Sequence, residues 1–538
     1  MLINNTYVPI GATPRSMLLV LVMSLVALAL SATTALAASC AFSGSTVTIA
    51  AAASESVTVL RGPGADATLG TTDDTIQTNA TGTFVNCSTA TVSNTNTIAT
   101  SYGNNRADQG LVIDLSNGEF VPGANETGAD REIEFTVNLG TGVGDTLTVV
   151  GSTGADHIVF GRSAVAACAG GTGRLSFNLN AQEATDDCDT TAAISNVENF
   201  VVAGSGGDDI ISFGGAEGTG NAFLATATYS IGGGGGDDEI TGSLQADTIT
   251  GGAGDDDLTG GEGDDSLDGG DDYDAVAGGV GADMLDDTGT GSTNTLNYIT
   301  SSASITVDLE ASTSSGGDAG GDVIAAGSFQ NVLGSDFNDT ITGSATANFL
   351  LGGLGDDLLN GGGGNDIVNG QRGADTLNGG AGDDGLNPGR LVENDIVRGG
   401  DAAGDSGKDR VTYLRCEAAV TIDLTLTTAQ DTGGCGSDTF AGVEQIRGSA
   451  YNDTLVGDAT DNYIVGGAGA DILNGGDGAD LLQGFRGADE VNGQAGNDTL
   501  FGGDGDDTLL GGADADYANG ESGSNDACTA ETKVSCEA

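Results

Sequence analysis

From Gly466 to Asn519 the chain reads GGAGADILN, GGDGADLLQ, GFRGADEVN, GQAGNDTLF, GGDGDDTLL and GGADADYAN, and from Gly520 a degraded GESGSNDAC. One grammar returns every nine residues: glycine first, usually glycine second and fourth, Asp sixth and an aliphatic residue eighth. The sixth positions are Asp471, Asp480, Asp489, Asp498, Asp507 and Asp516; the eighth are Leu473, Leu482, Val491, Leu500, Leu509 and the smaller Ala518. A period of nine fits neither a helical face nor a simple amphipathic strand. It fits a glycine-rich turn followed by a strand of about three residues with one inward side chain. A disordered acidic tract would have no reason to keep an aliphatic residue at every eighth position.

The chemistry of the turn follows from its residues. Glycines open backbone conformations closed to other residues, so the turn can curl and aim its carbonyls inward. The Asp adds a hard carboxylate oxygen. Carbonyls with carboxylates, and no His or Cys, make a ligand set for calcium and not for zinc. With two units per coil, each Asp stacks about 4.8 Å from the Asp eighteen residues away. Bare carboxylates that close repel, which calls for a cation between coils. The run resembles G-G-x-G-x-D-x-U-x, the repeats-in-toxin (RTX), or hemolysin-type, calcium-binding nonapeptide. The resemblance implies an all-β fold, a right-handed parallel β-roll or β-solenoid with several calcium ions held between its turns.

Composition agrees. The chain has 538 residues, 78 acidic against 15 basic, a formal charge of −63, 94 Gly, 5 Pro and no Trp. Scarce large apolar side chains argue against a conventional globular core. The charge disfavours nucleic acid and anionic membrane as partners and leaves a compact state self-repelling without cations. Metal binding is therefore expected to be coupled to folding.

In chain order, residues 1–38 read as a secretory signal, with Arg15, an apolar run from Met17 to Leu30 and an A-x-A site at Ala35-Leu36-Ala37. This implies a secreted protein exported by the general route, whereas RTX proteins usually leave through type I machinery without a cleaved N-terminal signal. The small residues before Cys40 also leave a lipoprotein anchor open. Residues 39–150 show short β-type runs, either a small β-sandwich or an irregular start to the solenoid. Residues 151–232 carry isolated RTX-like units at Asp156 and Asp209. Block one, 233–287, sets Asp238, Asp247, Asp256, Asp265, Asp274 and Asp283 at the sixth position. Block two, 334–387, sets Asp339, Asn348, Asp357, Asp366, Asp375 and Asp384 there. Block three, 448–527, puts Asp453 and Asn462 ahead of the six already named. The opening units of blocks two and three carry Phe337, Thr346, Tyr451 and Thr460 at the fourth position in place of glycine and are expected to shape the roll more than bind metal. Asp514 puts a late turn in question for the same reason. The stretches 288–333 and 388–447 read as wider coils or side excursions of one solenoid.

All eight Cys follow the cleavage point, which suits an oxidising exterior. A strand pattern ending in Asx-Leu recurs at Leu175–Leu179, Ile305–Leu309 and Val420–Leu424. Cys168 and Cys188 bracket the first copy and Cys416 and Cys435 the third, so each pair is expected to be bridged. Cys40 with Cys87, and Cys528 with Cys536 in a cap over 528–538, follow by elimination.

Catalytic signatures are weak. The one histidine, His157, lies in an RTX-like unit, so no H-E-x-x-H is possible. Gly404-Asp405-Ser406-Gly407 looks like a serine-protease nucleophile segment but sits in a Gly/Asp-rich loop. Gly407-Lys408 precedes Asp409, so there is no P-loop. The reading is of a non-enzyme: a secreted calcium-binding protein with a structural or adhesive role, whose partners beyond calcium would be surface or matrix polysaccharide or protein. The alternative is an enzyme acting on extracellular polysaccharide through carboxylates, its site in 39–232.

Overall fold

The computed structural model describes residues 199–213, 227–289, 293–389, 393–400 and 407–536, and upstream of these the strands from Ser39–Ser43 to Leu175–Asn178. Residues 1–38, where a secretory signal is expected, Cys168, Cys188 and the side chains of Cys40 and Cys87 lie outside the described residues. Every helix-like turn among the described residues is short (Gly317–Ala319 is one), and none is long and apolar enough to cross a membrane.

The chain winds as a parallel β-solenoid. Successive nonapeptides fall on alternate faces, so each strand pairs with the strand eighteen residues on: Leu473 with Val491, Leu482 with Leu500, Val491 with Leu509. The pattern of one inward aliphatic per unit becomes two facing columns. On one wall run Ile240, Leu258, Val276, Leu296 and Val332; on the other Ile249, Leu267, Leu285 and Ile324. All are buried, and Leu473, Leu482, Val491, Leu500, Leu509 and Ala518 have no exposed surface. Strands are longer than the three residues anticipated. Ile472–Asp477 (ILNGGD) carries the ladder through its glycines, because Gly475 faces the interior beside Leu473 and leaves room for the next carboxylate.

The two walls are not equivalent. One is a single 18-stranded sheet from His157–Arg162 to Thr532–Val534. The opposite wall is three sheets in succession, of 11, 8 and 6 strands. The breaks fall in the two stretches between blocks. In the first, Val323–Ile324 pairs back onto Met284–Asp286, while Thr306–Asp308 pairs forward onto Thr340–Thr342 and forms a hairpin with Thr313–Ser315. In the second, Ser437–Ala441 pairs back onto Ile396–Arg398, and Thr421–Asp423 forward onto Thr454–Val456. Both stretches are excursions of one solenoid, and the 18-stranded wall passes them without a break.

Upstream, Ser56–Gly62, Gly110–Asp114, Thr146–Val150 and Asn199–Ala203 stack in parallel onto Thr228–Gly235. Val59, Leu111, Ile113, Leu147 and Val149 join the common core. These strands carry the parallel stacking of the solenoid upstream of block one.

Cys416–Cys435 spans 19 residues around Thr421–Asp423 and is buried; Cys528–Cys536 closes the last coil. In that coil Cys528 takes the core rung above Leu509 and Lys533 the rung beside Ala518, its Nζ donating to the Cys528 carbonyl at 2.7 Å. In the first excursion, which has no cysteine, Ser301 Oγ accepts the Asp318 N–H at 3.0 Å in the equivalent place.

Candidate metal centre

The sixth-position aspartates form two rows, one along each edge of the solenoid. None of the sixteen proposed as ligands is more than 3% exposed. Except for Asp247, each is held by the backbone of the coil before it. The Asp238 N–H donates to Asp256 Oδ1 at 2.8 Å, Asp256 to Asp274 at 2.9 Å, Asp480 to Asp498 at 2.9 Å and Asp489 to Asp507 at 2.9 Å. The residue one position earlier is stapled the other way: Asp237 Oδ1 accepts from Asp255 N–H at 3.0 Å, and Asp461 Oδ1 from Ala479 N–H at 2.8 Å. Each turn therefore grips the coil before it and the coil after it.

Only one carboxylate oxygen is used. Oδ2 of Asp238, Asp256, Asp265, Asp274, Asp283, Asp357, Asp366, Asp375, Asp471, Asp480, Asp489, Asp498, Asp507 and Asp516 is buried with no hydrogen-bond partner among the described residues. Asp384 holds the same place in its ladder, with Asp366 N–H on its Oδ1 at 2.8 Å. These oxygens converge with main-chain carbonyls. A methyl group on Gly251 would fall on both Asp256 Oδ2 and the Gly269 carbonyl oxygen of the next coil; Gly361, Gly484 and Gly493 show the same pairing with Asp366 and Gly379, Asp489 and Gly502, and Asp498 and Gly511. A hard carboxylate oxygen and a carbonyl oxygen aimed at one spot suit a calcium ion.

Without a cation the arrangement is costly. Burial pushes Asp265 and Asp357 up to about 8, Asp256, Asp366, Asp375 and Asp471 to about 7, and Asp247, Asp274, Asp283, Asp480 and Asp489 to about 6. Burial likewise raises Asp238, Asp498 and Asp507. The hydrogen bonds of Ser243 pull Asp247 back toward its usual range, and in the others a backbone N–H on Oδ1 does so while neighbouring carboxylates, Asp247 and Asp283 beside Asp265 for example, push them up again.

These buried unpaired oxygens lie where the family match falls. The RTX calcium-binding nonapeptide repeat matches in overlapping copies over residues 232–285, 333–390 and 438–526. The chain carries RTX calcium-binding repeats. No curated protein matches it.

Not every RTX unit offers the same oxygen. Asp339 and Asp453 in the opening units have Oδ2 held by the N–H of Ser335 and of Ser449 at 2.6 Å, with the serine hydroxyls on the same carboxylates. Asp247, which the repeat phase groups with the ligands, has this arrangement too: Ser243 N–H and Oγ hold its two oxygens. The signal was present in GSLQAD, where Ser243 and Gln245 stand at glycine positions. Asp516, in contrast, keeps its place although Asp514 replaces a glycine, because Asp514 itself adopts φ 82°.

Five buried aspartates of the rows escaped the repeat phase: Asp322, Asp395, Asp409, Asp438 and Asp526. Each accepts the N–H of a ladder neighbour, from Asp283, Asp375, Asp384, Asp395 and Asp507 in turn. Insertions put them 39, 20, 25, 43 and 19 residues from those neighbours in place of eighteen, so no fixed period finds them.

Proposed function

We propose that the protein is a secreted, non-catalytic calcium-binding protein that folds outside the cell into a rigid rod and serves as a structural or adhesive component of a surface or matrix. The observation that carries this reading is the set of buried, unpartnered Oδ2 oxygens in register along the RTX blocks. They make the metal-free fold electrostatically unfavourable and the loaded fold favourable, so calcium acts as the trigger for folding. Extracellular calcium modules bind at roughly 10⁻⁴ to 10⁻³ M. Such affinities leave the sites empty inside a cell and fill them outside, which keeps the chain expanded until export. The sixteen phase-matched aspartates are the proposed ligands, with Asp247 the one whose oxygens a serine already holds. Neighbouring polysaccharide or protein of the surface or matrix would be the macromolecular partner.

The test is a calcium titration of the purified mature chain followed by far-UV circular dichroism and hydrodynamic radius, with a chelator arm. Gain of β signal with compaction in the 0.1–1 mM range, roughly that of extracellular modules, is expected. A β signal and radius unmoved by chelator would overturn the trigger.

A further inference from the structure

The two places where one wall breaks share a feature that the repeats lack. The row of carboxylates on that wall runs Asp247, Asp265, Asp283, Asp322; then Asp339, Asp357, Asp375, Asp395, Asp438; then Asp453, Asp471, Asp489, Asp507, Asp526. No bond of the ladder crosses from Asp322 to Asp339 or from Asp438 to Asp453: the N–H groups reaching Asp339 and Asp453 come from Ile305 and Val420. At the end of the first run, Tyr298, 2% exposed, donates its hydroxyl to Asp322 Oδ2 at 3.0 Å. At the end of the second, Tyr413, 1% exposed, donates to Asp438 Oδ2, and Thr432 Oγ1 does so at 3.0 Å. The start of each run is Asp247, Asp339 or Asp453, with its serine. Within the runs Oδ2 of Asp265, Asp283, Asp357, Asp375, Asp471, Asp489 and Asp507 has no hydrogen-bond partner among the described residues; Tyr298 takes it at Asp322, Tyr413 and Thr432 take it at Asp438, and a serine N–H takes it at Asp247, Asp339 and Asp453.

The facing row uses a different substitution at the first break. Asn294 and Asn348 stand in the ligand place between Asp274 and Asp366, and Gln330 lies between them: Asp274 N–H donates to Asn294 Oδ1 at 2.9 Å, Asn294 N–H to Gln330 Oε1 at 2.9 Å, and Asn348 N–H to Asp366 Oδ1 at 2.7 Å. A neutral amide continues the hydrogen-bond ladder and removes the charge.

We propose that Tyr298 and Tyr413 close the calcium arrays: their hydroxyls hold the carboxylate oxygen that is elsewhere left for a cation, so that both breaks stay free of calcium and the ions on this wall fall into three separate arrays. This rests on the RTX blocks binding calcium. The tyrosine O–H is a neutral donor that satisfies a buried carboxylate without a metal, and its rigid ring is fixed in the core at the end of the strand run Thr295–Asn297 or Arg410–Thr412.

The test compares full-length variants by calcium stoichiometry in equilibrium dialysis and by circular dichroism. Asp322→Asn keeps an oxygen for the Asp283 N–H and is expected to bind as many calcium ions as the parent, whereas Asp265→Asn, inside a run, loses calcium. Tyr298→Phe frees Asp322 Oδ2 and is expected to gain about one ion, a gain that Asp322→Asn added to it abolishes. Loss of calcium from Asp322→Asn alone overturns the proposal, and so does a folded Tyr298→Phe that binds no additional ion. If Tyr298→Phe does not fold, the comparison of Asp322→Asn with Asp265→Asn decides. Failure of Asp265→Asn to lose calcium would instead count against the calcium reading of the blocks.

Discussion

At the residue scale the turn depends on backbone angles more than on side-chain size. Gly478 adopts φ 122°, and a methyl there would strike the Thr460 carbonyl of the coil before it. Gly478→Ala is expected to destabilise the loaded fold by several kcal/mol, since strain and a backbone clash add, read as a fall in melting temperature in saturating calcium. Asp514 bears a positive φ of 82° with a side chain attached. Asp514→Gly relieves about 1 kcal/mol and should raise the same midpoint. The carboxylates themselves set a pH dependence. Their folded, metal-free pKa values are raised, to about 8 for Asp265 and Asp357 and about 6 for Asp480. For a raised carboxylate the stabilising contribution is complete below its ordinary value, near 4, and is lost as pH climbs through the folded value. In chelator, the β signal should therefore grow as pH is lowered from 8 toward 5, while the apparent calcium affinity of the folded chain falls, because protons and calcium compete for the same oxygens. A metal-free chain equally unstructured at pH 8 and pH 5 would count against this.

At the scale of elements, the two excursions solve one problem by different bonds. The bridge Cys416–Cys435 closes a loop of 19 residues, worth about 3 kcal/mol in the chain-entropy account. Ser301 Oγ and the Asp318 N–H fill that place in the other excursion with a single hydrogen bond, worth about 1 kcal/mol. Replacing both Cys416 and Cys435 by Ser should therefore lower stability more than Ser301→Ala, compared by chemical unfolding in saturating calcium. The bridge was legible because cysteines bracket a recognisable strand, Val420–Leu424. The serine was not, because nothing in its surroundings marks one serine among many. The same limit hid Asp322 and Asp438. A period identifies a ligand only while the chain keeps step, and both lie beyond an insertion that breaks it. The tyrosines that close the rows were readable as aromatic residues but not as donors, since their acceptors are 24 and 25 residues away.

At the scale of the whole molecule, stability is shared between two thin columns of aliphatic side chains and the metal rows. One inward aliphatic per nine residues cannot by itself offset about 1–2 kcal/mol of backbone entropy per residue. A site at tenfold saturation adds about 1.4 kcal/mol, so ten independent sites give about 14 kcal/mol, as much as an ordinary domain's whole stability. Replacing Asp480 and Asp498, stacked neighbours with free Oδ2 oxygens, by Ala should cost more calcium-dependent stability than replacing Asp339 and Asp453, whose oxygens serines hold. Equal losses in calcium-saturated melts would refute that ranking. The repeating blocks and both columns were readable from nine-residue phase alone. The asymmetry of the walls was not, because each excursion preserves one partner strand and displaces the other, and local sequence does not say which.

That asymmetry has a mechanical meaning. Eighteen strands at about 4.8 Å spacing give the seamless wall a length of roughly 80 Å. It behaves as the spine of a folding rule: hydrogen bonds tie every strand to the next along it, whereas the facing side is cut twice, at the tyrosine-closed ends. Bending that opens the cut side stretches no ladder there, and bending the other way must compress packed coils. The loaded rod should therefore be stiff within each block and flex at two points in one preferred direction, like a limb with two joints that yield to one side.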